Sequence, residues 1–151
     1  MTDSLSPPTN RMAVALLALG GLFVALYLLA HNLGLTGPIV CGVGSCATVQ
    51  SSQYAHLGPM PVSAIGVLGY LALLGLALVG LQPRWVANRI VALLLVVGSL
   101  AGFLFSGWLT YLEAAVINAW CQWCVISAVI ITLIFLACLP ELRRLRSSEP
   151  E

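Results

Sequence analysis

Lysine is absent from this 151-residue chain, and charge of either sign is scarce. Six arginines and five acids make up 7% of the residues, for a net charge of +1. Without a basic stripe there is no electrostatic footprint for nucleic acid. Without a charged face there is nothing to hold the chain on lipid headgroups as a peripheral protein. Internal repeats and low-complexity stretches are missing too. What is abundant is apolar: 60% hydrophobic residues and a mean hydropathy of +1.03. A disordered chain needs the reverse balance, and a soluble domain of this length has no use for so much apolar surface. The composition describes an integral membrane protein.

Four uncharged stretches are long enough to cross a bilayer: residues 12–30, 60–81, 90–112 and 119–139. About 20 residues at ~1.5 Å rise cover the ~30 Å hydrocarbon core, so each qualifies as a helical span. Barrel strands would alternate polar and apolar residues, and these runs do not. The first run follows Arg11 as a signal peptide would, but it is longer than an h-region. Its end, Leu28-Leu29-Ala30-His31, lacks a small-x-small cleavage site, which predicts a retained span. Arg11 precedes the first span, Arg84 and Arg89 separate the second and third, and Arg143, Arg144 and Arg146 follow the fourth. The loops after the first and third spans carry no Lys or Arg. The positive-inside rule therefore predicts cytoplasmic N- and C-termini and puts those two loops outside. Trp85 suits the inner interface, and Trp120 and Trp123 the outer one.

The expected architecture is all-α: residues 1–151 as a single integral membrane domain, a bundle of four transmembrane helices. An outer loop, about 31–59, caps the periplasmic or extracellular mouth and carries a short helix from Cys46 to about Tyr54. Pro61 opens the second helix, and Pro140 is expected to end the fourth. Gly98, Gly102 and Ser106 recur every four residues, a close-packing stripe.

Topology sorts the five cysteines into four and one. Cys41 and Cys46 lie in the first outer loop, and Cys121-Gln122-Trp123-Cys124 stands at the outer mouth of the fourth span. Cys138, 14 residues beyond Cys124, lies ~21 Å deeper and toward the reducing side, a spectator thiol. A Cys-x-x-Cys at the first turn of a helix puts both sulfurs on one face, where the helix N-terminus stabilises a thiolate. Thiol–disulfide exchange requires that chemistry, whereas a structural bridge gains little from closing so short a loop. Two structural disulfides nevertheless remain a competing reading. A zinc or copper site is not expected, because the only nearby imidazoles are His31 and His56 and an oxidising compartment opposes four free thiolates. Glu113 is the one acid expected within reach of the bundle; relaying a proton and snorkelling to water are its two readings, with snorkelling the one favoured.

Two dithiol pairs at one mouth suggest electrons entering at the loop pair, crossing to the second pair by disulfide exchange, and leaving to a lipid-soluble acceptor. A membrane quinone (menaquinone or ubiquinone) takes two electrons and two protons and fits that place. Cys121, Cys124, Ala128 and Ile131 share one helical face, and Phe105, Trp108 and Leu112 another. If those faces meet, they form an apolar slot below the Cys pair.

The fragment Cys46-Ala47-Thr48-Val49-Gln50-Ser51-Ser52-Gln53-Tyr54 resembles the loop of vitamin K epoxide reductase homologues. So does Tyr111-Leu112-Glu113 followed by Ala119-Trp120-Cys121-Gln122-Trp123-Cys124-Val125. Cysteine order and four-helix layout match as well, over nearly the whole chain. The resemblance implies a bacterial member in the inner or plasma membrane that supports disulfide formation. Cys41 would be the outer shuttle cysteine meeting a thioredoxin-like (DsbA-type) disulfide oxidase, and Cys46 its mate that passes electrons to Cys121. Cys124 would stand beside the quinone, and Ser52 would be the loop-helix serine near the active site. Because the chain stops at Glu151, the oxidase is expected to be a separate protein. Ala128 stands where the animal enzymes have a tyrosine, and Pro61-Val62-Ser63 lacks their asparagine. Plain quinone reduction, rather than epoxide reduction, is the activity expected. The disulfide bond protein B family has the two cysteine motifs in the opposite order, which argues against it.

Overall fold

Residues 9–147 are described in the computed structural model, so segments 1–8 and 148–151 of the expected domain lie outside the described residues. In an apolar medium each backbone N–H and C=O must be satisfied within its own segment, so long apolar runs become helices. They do so here in α1 (Thr9–Asn32), α3 (Val62–Leu81), α4 (Arg89–Tyr111) and α5 (Gln122–Ser147). Between α1 and α3 lie the short α2 (Cys46–Gln50), a 3₁₀ turn (Gln53–Ala55) and a two-residue hairpin, β1 (His56–Leu57) with β2 (Met60–Pro61). All four long helices are long and apolar enough to cross a membrane. Asn88 starts α4, its side chain accepting from the N–H groups of Ile90 and Val91 at 2.8 and 3.3 Å. The last turn of α4 widens into a π-helical segment, Leu112–Ile117, which ends at Asn118 in the left-handed conformation (φ 57°).

Several boundaries differ from the sequence reading, among them the start of α5 at Gln122 rather than 119. Met60 and Pro61 pair with the hairpin rather than opening the second span, and α3 begins at Val62. The loop helix is one turn long, stopping at Gln50 before Ser51 and Ser52 turn back on it. Pro140 does not end α5, which runs on to Ser147. A proline removes one helical donor, a loss that membrane helices tolerate when neighbours hold the helix in place. The residue after it, Glu141, is held in this way.

The helices pack in a ring, α1 against α3 and α5, α4 against α5 and α3, and the α3–α4 seam makes the sparsest contact of the four. On α1 the buried stripe is Val14, Ala15, Ala18, Gly21, Leu22, Ala25 and Leu28, mostly small residues that let backbones approach. Gly21 is required there, because the Tyr70 ring crosses the space a side chain would fill and its hydroxyl donates to the Ser127 carbonyl at 2.9 Å. Large apolar side chains such as Leu16, Phe23, Ile90 and Leu104 point outward, as a lipid-facing surface requires.

At the end of the bundle remote from Cys121, an ion pair is sealed completely. The Arg11 guanidinium donates to Glu141 Oε1 and Oε2, each at 2.9 Å, and both side chains are 0% exposed. Arg11 also donates to the carbonyls of Gly80 (2.7 Å) and Val86 (3.2 Å), while Asn10 donates to Glu141 at 2.7 Å. Glu113 is therefore not the only acid in the bundle. Glu141 follows the fourth apolar run and a helix-breaking proline, so hydropathy alone does not place it in the bundle.

Candidate functional site

The four cysteines of interest come together at the opposite end. Cys41 and Cys46 are joined by a disulfide, with Cα atoms 6.0 Å apart. Cys121 and Cys124 are free thiols. Cys46 and Cys121 are both buried in one small apolar cluster with Val49 and Ala119, against which Cys41, Cys124, Ile39 and Trp123 pack. Cys41 is half-buried and sits beside an exposed stretch, Gly42 to Ser45, so it is the more accessible member of its pair. Cys138 is buried in the main core beside α1, apart from the other four.

Backbone pairing fixes the loop against the start of α5. Gly44 bridges to Cys121, and Ser45 N–H donates to the Trp120 carbonyl at 2.6 Å. Only glycine suits position 44: φ is +92°, and a Cβ would collide with that carbonyl. The Gln122 side-chain oxygen accepts from the N–H groups of both Gly42 and Val43 at 2.9 Å. Trp123 donates its indole N–H to the Val40 carbonyl at 2.6 Å, and Val40 N–H donates to the Tyr27 hydroxyl at 2.8 Å. The x-x of the Cys-x-x-Cys thus holds the other cysteine pair in place.

Polar groups converge on the two thiols from both sides. The Gln50 amide, one helical turn after Cys46, donates toward Cys124 Sγ at 3.4 Å and Cys121 Sγ at 3.8 Å. Asn32, at the end of α1, orients it by donating to its side-chain oxygen at 3.1 Å, and also reaches Ser63 and the Leu28 carbonyl. From the other side, Glu113 Oε2 accepts from the backbone N–H of Cys121 at 3.1 Å, and its carboxyl also meets the Cys124 thiol. The π-helical turn makes this reach possible, bringing Glu113 back over the first turn of α5; such insertions concentrate at functional sites. Glu113 is only 5% exposed, so it does not snorkel to water as expected. The hydrogen bond from Cys124, opposed by burial and aided by Gln50, brings the Cys121 thiol down to about 7 from its ordinary 9.0. Such a thiol is a ready nucleophile and a good leaving group near neutrality.

Below Cys124 the sparse α3–α4 seam opens into a cavity of about 440 Å³. Its walls are largely apolar (Leu73, Leu76, Phe105, Leu109, Leu112, Ile131), and its polar lining includes Gln50 and Glu113, which meet Cys124, with Ser52, Tyr70, Ser106 and Ser127. Gly98 and Gly102 serve packing and cavity at once. Leu73 and Ile131 close on them, and both glycines form part of the wall. Of the residues expected around an acceptor, Ser52, Phe105, Leu112, Cys124 and Ile131 line this cavity. Ser52 is anchored by donating to the Val49 carbonyl at 2.7 Å. Trp108 and Ala128 do not line it. Trp108 is exposed on the outer side of α4, and Ala128 faces a second, shallower groove with Trp120 and Val129. From Cys124, a four-residue step overshoots one helical turn by about 40°. The face of α5 that meets the cavity is instead Cys124, Ser127 and Ile131.

Gln50, Asn32, Gln122 and Ser127 are site residues that the sequence reading missed. Only Gln50 carried a local signal, because four residues after Cys46 on a helix is the same face. Among the described residues no group of three or more His, Cys, Asp or Glu is placed to hold a metal ion. The family model for the vitamin K epoxide reductase family matches residues 12–139, a stretch that contains all five cysteines and the whole cavity wall.

Proposed function

The chain belongs to the vitamin K epoxide reductase family, and from that membership we propose that it is a thiol oxidase passing electrons from a thioredoxin-like protein to a membrane quinone. Membership makes it a multi-pass membrane oxidoreductase acting on thiols; the electron path, the partner and the orientation are our reading. The observation that carries the path is the shared burial of Cys46 and Cys121, with Cys41 on the accessible side and Cys124 at the cavity.

In this reading a reduced DsbA-type oxidase attacks the Cys41–Cys46 disulfide at Cys41. Attack by its second thiol frees the oxidised partner and leaves Cys41 and Cys46 as thiols. Cys46 then attacks Cys121 of a Cys121–Cys124 disulfide, releasing Cys124. Cys41 attacks Cys46 in turn, restoring the loop disulfide and releasing Cys121, a step favoured by its low thiol pKa. Two electrons now rest on Cys121 and Cys124. A bound quinone supplies an acceptor for two electrons and two protons. The cavity fits such a ring: mostly apolar, a few hundred Å³, with Gln50 and Glu113 beside Cys124. The Arg positions support N- and C-termini in the cytoplasm and the cysteines on the outer face of a bacterial inner membrane.

Anaerobic reduction of a soluble quinone, with a reduced thioredoxin-like oxidase as donor, tests the proposal. Turnover that vanishes in Cys124→Ala supports the relay. Failure to turn over, with the outer cysteines resisting mild dithiothreitol, would leave a membrane protein stapled by structural disulfides.

A further inference from the structure

Quinone reduction consumes two protons, and the groups placed to supply them are those in contact with the reacting sulfurs. The Cys124 thiol and the Gln50 amide both donate toward Cys121 Sγ, an arrangement that favours its thiolate, and a thiolate brings none. Cys124 brings one. The remaining acid in contact with the reacting sulfurs is Glu113: 5% exposed, lining the cavity, its carboxyl on the Cys121 N–H and against the Cys124 thiol. An ionisable group buried at membrane depth is costly to keep, and it more often serves a reaction than a structure. A backbone cap for α5 would need only an acceptor, which a neutral amide provides as well.

We propose that Glu113 is the acid of the relay, delivering the second proton to the acceptor as the Cys121–Cys124 disulfide forms. This rests on the quinone-reductase reading above. The balance closes. A Cys121 thiolate, a Cys124 thiol, a Glu113 carboxylic acid and the acceptor become a Cys121–Cys124 disulfide, a Glu113 carboxylate and the acceptor carrying two electrons and two protons. One negative charge is present before and after. It moves from a sulfur stabilised by the Gln50 amide to a carboxylate stabilised by the Cys121 N–H. The return step closes as well. The two protons of the Cys41/Cys46 dithiol go one to Cys124 and one to Glu113 as Cys121 leaves as thiolate. The pocket never holds two anions, which a low-dielectric site penalises heavily. The titratable groups facing Glu113 are Cys121 and Cys124, with Tyr54 and Tyr70 on the same cavity wall.

Glu113→Gln keeps an acceptor for the Cys121 N–H and removes the proton. Turnover with a soluble quinone should fall by about 10²-fold or more, the usual worth of a positioned acid. Glu113→Asp should retain part of the rate. The second readout needs no quinone. Chemical reduction of the Cys121–Cys124 disulfide in the wild-type protein should produce the infrared band of a protonated carboxyl, absent from Glu113→Gln. Wild-type turnover in Glu113→Gln, or reduction of the wild-type disulfide with no new carboxyl band, overturns the assignment while leaving the relay intact. If Glu113→Gln does not fold, the wild-type infrared measurement decides alone. A wild-type protein that reduces no quinone at all would instead overturn the relay reading itself.

Discussion

Two buried carboxylates sit at opposite ends of the bundle, and their company differs. Glu141 is locked to a guanidinium by two 2.9 Å hydrogen bonds, and the remaining guanidinium nitrogen, Nη1, is engaged by the Gly80 and Val86 carbonyls. Among the described residues Glu113 meets only neutral donors, a backbone N–H and a thiol, and it faces a cavity. A buried charge saturated by a fixed opposite charge can hold structure but cannot exchange a proton. A buried acid met by weak donors beside reactive sulfurs is poised to change state. Both ends are polar, yet one is built to stay the same and the other to cycle.

The comparison can be broken at either end. Cys121→Ser should have the largest effect, abolishing quinone reduction while the helical content measured by circular dichroism stays at the wild-type level. Arg11→Ala strands Glu141 without its cation and should cost about 3–5 kcal/mol of stability, the usual result of removing one partner from a buried pair. Thermal unfolding in detergent would measure it, and turnover per folded molecule should be unchanged. If Arg11→Ala instead slowed turnover with no loss of stability, the two ends would not be separate in role.

Gly44→Ala tests the link between loop and helix. The strained backbone should cost about 1–3 kcal/mol locally. Electron transfer from Cys46 to Cys121 should slow, while direct reduction of the Cys121–Cys124 disulfide by dithiothreitol continues at the wild-type rate. Gln50→Leu removes an amide donor from the thiols and should raise the Cys121 titration midpoint. Absorbance of the thiolate during a pH titration would report it. The smallest effect is also the simplest to read. A depressed thiol pKa means that thiolate predominates above pH about 7 and is lost below it. Single-turnover oxidation of the pre-reduced protein should therefore speed up as pH rises through that value. A flat profile would remove Cys121 as the attacking thiolate.

The four helices were legible because length and apolarity alone select them, and the cysteine sets because spacing and membrane side sort them. What sequence could not supply was contact between distant segments. Asn32 meets Gln50 across 18 residues, Gly42 meets Gln122 across 80, and Arg11 meets Glu141 across 130. Glu113 was misjudged for a local reason: an ideal α-helix would end before turning it back, and the π-helical turn has no signature in the composition of Leu112–Ile117. Trp108 and Ala128 were placed by helical periodicity, which identifies residues sharing a face but not which neighbour that face meets.

Arg11 lies near the start of the chain and Glu141 near the end of its last span, so the two cannot meet until that span has been made and inserted. During synthesis the first helix holds a cation whose partner carboxylate, Glu141, has not yet been made. Closure of the ion pair is therefore a late event in assembly, and a chain truncated ahead of Glu141 carries an unneutralised charge at the end of its first helix. Such a charge distinguishes unfinished molecules from finished ones before any electron has moved.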